Sequence, residues 1–325
     1  MSVRVVVPDD FPPALTGSPA EARLRGLGAV SIHTERGADQ AAELCRRVGD
    51  AEVVLNIRAH ARFTEEVLRA CPQLRLISIW GTGVDNVDLE ACRRLGITVT
   101  NTPEVNADAV AEHTIALMLA GLRRIPALDR DVRQGQWPRG LLVQAHGKTL
   151  GVVGLGAIGR RVVALGRALG MVVLAWSHRG DPERVATLGA RAVSLETLLR
   201  ESDVVSLHLR LAAETEGFLG RERLAAMKPT AILVNTARAA LVDKTGLLAA
   251  LREGRLAGAA LDVFHEEPVP PGDPLLALPT VVLTPHNAGM TREVIEAGLA
   301  RAVENIEQFL RGTPTDVVVA PAATR

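Results

Sequence analysis

Lys148–Arg179 reads KTLGVVGLGAIGRRVVALGRALGMVVLAWSHR, and this stretch decides the fold. It opens with a short apolar run, Leu150–Val153, bounded by polar residues as a buried parallel strand would be. Gly154, Gly156 and Gly159 follow in a G-x-G-x-x-G arrangement. The first allows a tight turn, the second lets a pyrophosphate approach the backbone, and the third lets the next helix pack close. That helix carries Ile158, Val162, Leu165 and Leu169 on one face, with Arg160, Arg161 and Arg167 off it. Gly170 ends it, and Met171–Trp176 reads as a second buried strand. The unpaired N–H groups at the helix start suit phosphate. Glycines alone also mark ordinary turns; strand, glycines, helix and second strand in this order predict dinucleotide binding.

Composition bounds the rest. The 325 residues suit two domains better than one core, and 47% hydrophobic residues are enough to build both. Lys+Arg and Asp+Glu each total 37, so electrostatics gives no reason to expect nucleic acid or a membrane as partner. Only Lys148, Lys228 and Lys244 are lysines, which leaves few candidates for Schiff-base chemistry. Cys45, Cys71 and Cys92 are odd in number and widely spaced, fitting a reducing compartment rather than a disulfide framework or zinc knuckle. No H-E-x-x-H or cysteine cluster suggests a metal. The apolar run in MSVRVVVPDD is far too short for a signal peptide or membrane span, so a soluble cytoplasmic protein is expected.

In chain order, Val3–Val7, Val53–Ile57 and Leu74–Ile79 are strand candidates, with helices around Ala41–Val48 and Thr64–Ala70. This alternation predicts a first α/β unit. In Trp80–Cys92, WGTGVDNVDLEAC, Gly81 and Gly83 flank Thr82 before a helix. Their N–H groups either face a ligand or simply turn the chain, and spacing does not decide. Asn101-Thr102-Pro103 reads as the domain crossing, followed by a helix over Ala107–Arg124. The polar stretch RRIPALDRDVRQGQWPRG, broken by Pro126, is either a surface loop or an arm over a partner subunit. Further strands are expected at Val204–Leu209, Ala231–Asn235, Ala259–Val263 and Val281–Thr284, which with the first two make the six of a doubly wound sheet. A last helix, Thr291–Leu310, is expected to bury Val294, Ala297, Ala300, Ile306 and Leu310 and to return to the first domain.

Ligands of open α/β sheets sit outside the carboxyl ends of the strands. Arg238, Asp262 and His286 fall at such ends. Singly they could be a surface cation, a cap and a loop residue. Together they supply a carboxylate fork, an amide acceptor and a proton donor, as hydride transfer to a 2-keto acid requires. His265, His113, His33, His60 and His146 lack comparable placement; His113 reads as a packing residue.

These motifs resemble the D-isomer-specific 2-hydroxyacid dehydrogenase family, which includes D-3-phosphoglycerate, D-lactate, glyoxylate/hydroxypyruvate and formate dehydrogenases. WGTGVDNVDL, NTPEVNADAVAEHT, LGVVGLGAIGRRVV, DVVSLHLRLAAETEGFLG, LAAMKPTAILVNTARAALVD, GAALDVFHEEP and LTPHNAG occur in the family's order. The resemblance implies a Rossmann-type NAD(P)-binding domain, residues 103–288, inserted into a smaller flavodoxin-like α/β substrate domain, residues 1–102 and 289–325, with the active site in the cleft between them. It implies Arg238 as the substrate-binding arginine, His286 as acid/base and Glu267 as the carboxylate that orients the histidine. Asp262 would hold the nicotinamide carboxamide, and Thr82, Ala157, Ile158, Thr236, Ala237 and Asn287 match cofactor-contacting positions. A homodimer joined through the cofactor domains is also implied.

Several positions depart from the family pattern. Ser177, His178 and Arg179 stand where NAD-type members carry an acid, and a hydroxyl, a ring and a fixed cation suit a 2′-phosphate, so NADP(H) is favoured, although Asp181 is close by. His208-Leu209-Arg210 replaces H-x-P, and Ala239 replaces the glycine of A-R-G. Arg58 and Arg62 follow a strand and could bind a second anionic group, and Arg58 matches a substrate-contacting arginine of phosphoglycerate dehydrogenases. Ile79 and Trp80 replace an arginine and a small residue of those enzymes, and the indole is expected to narrow the pocket. A small or apolar 2-keto acid, contacted by Gly81–Gly83 and Arg238, is therefore expected over a phosphorylated one. The alternatives are a D-3-phosphoglycerate dehydrogenase-like enzyme and a dinucleotide-sensing corepressor-like protein on the same fold. With no appended interaction tail read in this sequence, the enzyme is expected over the sensor.

Overall fold

The computed structural model describes residues 2–57, 60–178 and 181–321. Arg58 and Arg179 lie outside the described residues. Two compact units form, Met1–Asn106 with Met290–Arg325, and Ala107–Gly289.

The first unit alternates β1 (Val3–Val7), α1 (Pro19–Arg25), β2 (Gly28–Ile32), α2 (Ala41–Val48), β3 (Val53–Asn56), α3 (Glu65–Ala70), β4 (Leu76–Ile79), α4 (Leu89–Leu95) and β5 (Thr98–Thr100). The second contains α5 (Ala107–Leu122), α6 (Ile125–Arg133), β6 (Thr149–Val153), α7 (Ala157–Ala168), β7 (Val172–Trp176), α8 (Pro182–Thr187), β8 (Arg191–Ala192), α9 (Leu195–Glu201), β9 (Val204–Leu207), α10 (Arg221–Ala225), β10 (Ile232–Asn235), α11 (Lys244–Arg252), β11 (Gly258–Leu261) and β12 (Val281–Leu283). The chain then completes the first unit with α12 (Arg292–Leu310) and β13 (Val317–Val319).

The second unit's seven strands run β12-β11-β10-β9-β6-β7-β8, all parallel. This is the doubly wound order, which reverses between β6 and β9 and opens its ligand crevice there. β9, β10 and β11 are buried along their whole length because helices cover both faces, which is why they read as unbroken apolar runs. All six expected strands form, and two-residue β8 adds a seventh at the edge.

The first unit's sheet runs β13-β5-β4-β3-β1-β2, parallel except for β13, which is the flavodoxin-like order with one antiparallel edge. Only three of its six strands were expected. β2 alternates half-buried and exposed residues, and β5 and β13 span three residues each, too short to leave a period.

Two expectations need correction. Pro126 does not break the chain: it sits in the first turn of α6, where its missing N–H costs no helical bond. The buried face of α12 is Val294, Gly298, Leu299, Ala302, Val303 and Ile306, while Ala297, Ala300 and Leu310 are exposed. Its register is set by Trp80, whose indole lies so close to Gly298 that a Cβ there would overlap it. Trp80 itself is half-buried and packs against the first unit's core beside α12.

Candidate active site at the carboxyl edge of the second sheet

The glycine turn fits a dinucleotide. Gly154 has φ +99°, and a Cβ there would overlap the backbone of His208. A Cβ on Gly159 would overlap the Gly154 carbonyl, so α7 can approach its strand only without a side chain at that position. Beside Gly156 a Cβ would meet no atom within 4 Å, and this residue caps α7 with no side-chain hydrogen bond. Open space in front of uncapped N–H groups is what a pyrophosphate requires. Ala157 and Ile158 form the half-buried first turn of that helix.

At the end of β7, Ser177 is half-buried and His178 is exposed. The His178 ring stands edge-on to Trp176 with centroids 6.5 Å apart. Asp181, the nearest acid, accepts the Glu183 N–H at 3.0 Å and caps α8. Its carboxylate is therefore engaged in the helix start.

The expected chemistry gathers at β10, β11 and β12. Asn235, buried at the end of β10, pins the turn after it: Ala237 N–H donates to its Oδ1 at 3.0 Å, and its Nδ2 donates to the Arg238 carbonyl at 2.9 Å. Arg238 is thereby held extended, at φ −142° and ψ 139°. Its Nη1 donates to the Ala237 carbonyl at 2.9 Å.

His286 takes the left-handed backbone at φ 52°, which only surrounding bonds can hold for a non-glycine residue. Asp262, wholly buried after β11, supplies them. Thr284 Oγ1 donates to its Oδ1 at 2.6 Å, Asn287 N–H to the same oxygen at 3.1 Å, and Ala288 N–H to Oδ2 at 2.9 Å. His286 Nδ1 lies 2.7 Å from Glu267 Oε2, and Phe264 N–H fixes the other Glu267 oxygen at 2.9 Å. Burial alone would raise the Glu267 carboxyl. The hydrogen bonds from His286 and Phe264, with the His286 and Arg238 charges, outweigh burial and hold it below its ordinary 4.5. Nδ1 is thus committed to the carboxylate, and Nε2 makes no hydrogen bond among the described residues.

Arg238, Glu267 and His286 are therefore brought together in one unit, whereas His265 instead meets the Val242 carbonyl at 3.1 Å. Thr236 Oγ1 pairs with Thr114 Oγ1 at 2.8 Å. His113, read from the sequence as packing, meets Thr284 Oγ1 at 3.0 Å. No local signal marks that contact, since its partner lies 171 residues away.

In the first unit the glycine loop is partly committed. Gly81 N–H donates to Thr102 Oγ1 at 2.8 Å, and Asn101 Nδ2 holds the Thr82 carbonyl at 2.8 Å. The N–H groups of Thr82 and Gly83 make no hydrogen bond among the described residues, so they, and not that of Gly81, can still donate. Among the described residues no helix is long and apolar enough to cross a membrane.

The family profile described as D-isomer specific 2-hydroxyacid dehydrogenase, NAD binding domain, matches residues 115–288. A glyoxylate reductase of Aeropyrum pernix is 47% identical over 256 residues, 76% of each chain. A D-3-phosphoglycerate dehydrogenase of Archaeoglobus fulgidus is 41% identical over 84% of this chain, which spans 52% of that longer protein. Among solved structures, an acyclic imino acid reductase (Bsp5) in complex with NADPH and D-Arg superposes with a TM-score of 0.87 at 28% identity, covering 98% of this chain and 100% of that one. With the glycine cradle and the two sheet orders, these matches identify the chain as a member of the D-isomer-specific 2-hydroxyacid dehydrogenase family, NAD(P)-binding oxidoreductases that act on the CH–OH group of small hydroxy acids.

Proposed function

We infer that the protein reduces a small 2-keto acid, of glyoxylate or hydroxypyruvate size, to the D-2-hydroxy acid with NADPH as the preferred donor. The observation that carries this reading is the His286 Nδ1–Glu267 pair, 2.7 Å apart, in the unit that holds the glycine cradle. When bound to that cradle the reduced nicotinamide supplies hydride to the carbonyl carbon. Arg238 grips the substrate carboxylate, because a planar guanidinium offers two parallel donors. His286, with Nδ1 on Glu267, delivers the proton from Nε2 to the carbonyl oxygen. Keto acid, hydride and one proton give the hydroxy acid. Thr82 and Gly83 are assigned further substrate contacts, Thr236, Ala237, Asp262 and Asn287 the nicotinamide end, and Arg58 and Arg179 roles at the substrate and the 2′-phosphate.

Glyoxylate reductases among the relatives support the small substrate. The NADPH preference is supported by Ser177, by the diversion of Asp181 into its helix cap, and by a structural relative's NADPH complex. The Archaeoglobus fulgidus relative favours 3-phosphohydroxypyruvate as the second substrate to test. One panel decides: glyoxylate, hydroxypyruvate, pyruvate, phenylpyruvate and 3-phosphohydroxypyruvate, each with NADH and NADPH. Highest kcat/KM on the phosphorylated acid, or a strong NADH preference, overturns the corresponding half of the reading. Tight cofactor binding with no turnover on any acid returns the sensor alternative.

A homodimer is also proposed. Ile125, Val132, Trp137, Leu141, Leu142 and Val143 are exposed along α6 and the segment after it, with Trp137 73% accessible, an apolar run that suits a second copy of this chain. Trp137→Glu should yield a monomer by light scattering; a monomeric wild type refutes the assignment.

A further inference from the structure

Two adjacent residues of α5 reach two different strand ends. Thr114 Oγ1 lies 2.8 Å from Thr236 Oγ1, after β10, and His113 Nε2 lies 3.0 Å from Thr284 Oγ1, after β12. Each threonine stands two residues before a proposed active group, Thr236 before Arg238 and Thr284 before His286. Successive helix residues diverge by about 100°. Strands two apart in a sheet are about 9–10 Å apart. The pair on α5 therefore spans β11 and touches both ends at once.

Proton assignments follow from the partners. Thr284 donates its only proton to Asp262 Oδ1, so it accepts from His113, whose Nε2 must carry a hydrogen. Thr114 donates to the Val110 carbonyl at 2.7 Å, so Thr236 donates to Thr114. His113 also stands 3.5 Å from Asp262 Oδ1, beside the carboxylate that holds Asn287 and Ala288 N–H.

We propose that His113 and Thr114 are positioning residues that fix the separation of Arg238 and His286 through Thr236 and Thr284. This rests on the roles given above to Arg238 and His286. The two arms separate kinetically. Loosening His113 frees the proton donor and lowers kcat; loosening Thr114 frees the carboxylate fork and raises KM. Small misplacements of reacting groups are expensive, so about tenfold or more is expected on each.

The test compares His113→Leu, His113→Asn and His113→Gln with Thr114→Val and Thr114→Ser. Reduction of whichever keto acid of the panel turns over fastest is measured, with the NADPH Kd by fluorescence and Tm. His113→Leu and His113→Asn should lose kcat about tenfold with KM near wild type, while His113→Gln, whose longer amide can donate to Thr284, recovers most of it. Thr114→Val should raise KM about tenfold with kcat largely kept, and Thr114→Ser should restore it. Should His113→Leu not fold, the Asn–Gln pair still decides. Unchanged parameters overturn the proposal. So does a joint fall of kcat and KM effects that tracks Tm without rescue by Gln or Ser. His286→Ala and Arg238→Lys run alongside: normal turnover in these breaks the underlying site reading, whereas their loss with unaffected His113 and Thr114 variants breaks only the positioning inference.

Discussion

The two ends of the second sheet's carboxyl edge are built by opposite means. At β10–β12 nearly every polar atom is engaged: Asn235 pins the Arg238 turn, Asp262 takes three donors, and Glu267 is shared between His286 and Phe264. At the end of β7, Ser177 is half-buried, His178 is exposed with Trp176 edge-on to its ring, and Asp181 is turned away into α8. One end is fixed before any ligand arrives. The other presents side chains that are free to be exchanged. Preorganised groups are worth most where charge develops, and recognition of a cofactor's distal group needs far less. On the proposed assignment, cofactor preference should therefore change at β7 without disturbing chemistry at β12.

The largest test of this contrast is His286→Ala. Turnover should fall by about 10²–10⁴, the usual range for a positioned acid, with the NADPH Kd within about twofold by fluorescence titration. A large loss of cofactor affinity would mean that the two ends are not independent. Next comes Ser177→Asp. An acid there accepts ribose hydroxyls and repels a 2′-phosphate, so the NADPH-to-NADH ratio of Kd values should move about tenfold toward NADH. kcat at saturation should stay near wild type with either cofactor; a fall in kcat would erase the distinction.

The smallest expected effect sharpens the fixed end. Glu267 is held below 4.5, so its carboxylate persists at neutral pH and the pairing is lost only as pH drops through that lowered value. Glu267→Gln removes that titrating carboxylate, so the acid-side fall of reduction set by its protonation should drop out of the pH profile. Glu266→Gln serves as the control. The assignment fails if the control moves the profile and Glu267→Gln does not.

The sequence carried the same contrast. Strands β6, β7, β9, β10, β11 and β12 were legible because both faces are covered, leaving dense apolar runs between turn residues. β2, β8 and β13 were not, since edge strands of two to five residues bury too little to leave a pattern, and β5, though buried inside its sheet, spans only three residues. The buried face of α12 was misread because an alanine-rich helix has weak periodicity, and a glycine fitted under Trp80 sets its register. Arg238, Asp262 and His286 could be found from strand-end placement alone. Glu267 required the family resemblance, and His113 and Thr284 required the fold, since their meeting is a property of packing across distant segments.

The fit of Trp80 on Gly298 has a consequence for anyone redesigning the loop that begins at Gly81. Volume there is held in common by a loop and a helix far apart in sequence. Shrinking Trp80 to widen the neighbourhood of the glycine loop opens a gap under α12, at a cost below the ~3–5 kcal/mol of truncating a fully buried aromatic. Enlarging Gly298 alone evicts the indole. Only paired exchange, a smaller residue at 80 with a larger one at 298, conserves the filled space. Library designs that randomise position 80 by itself will therefore return destabilised chains, and their failures will report on the helix rather than on the substrate.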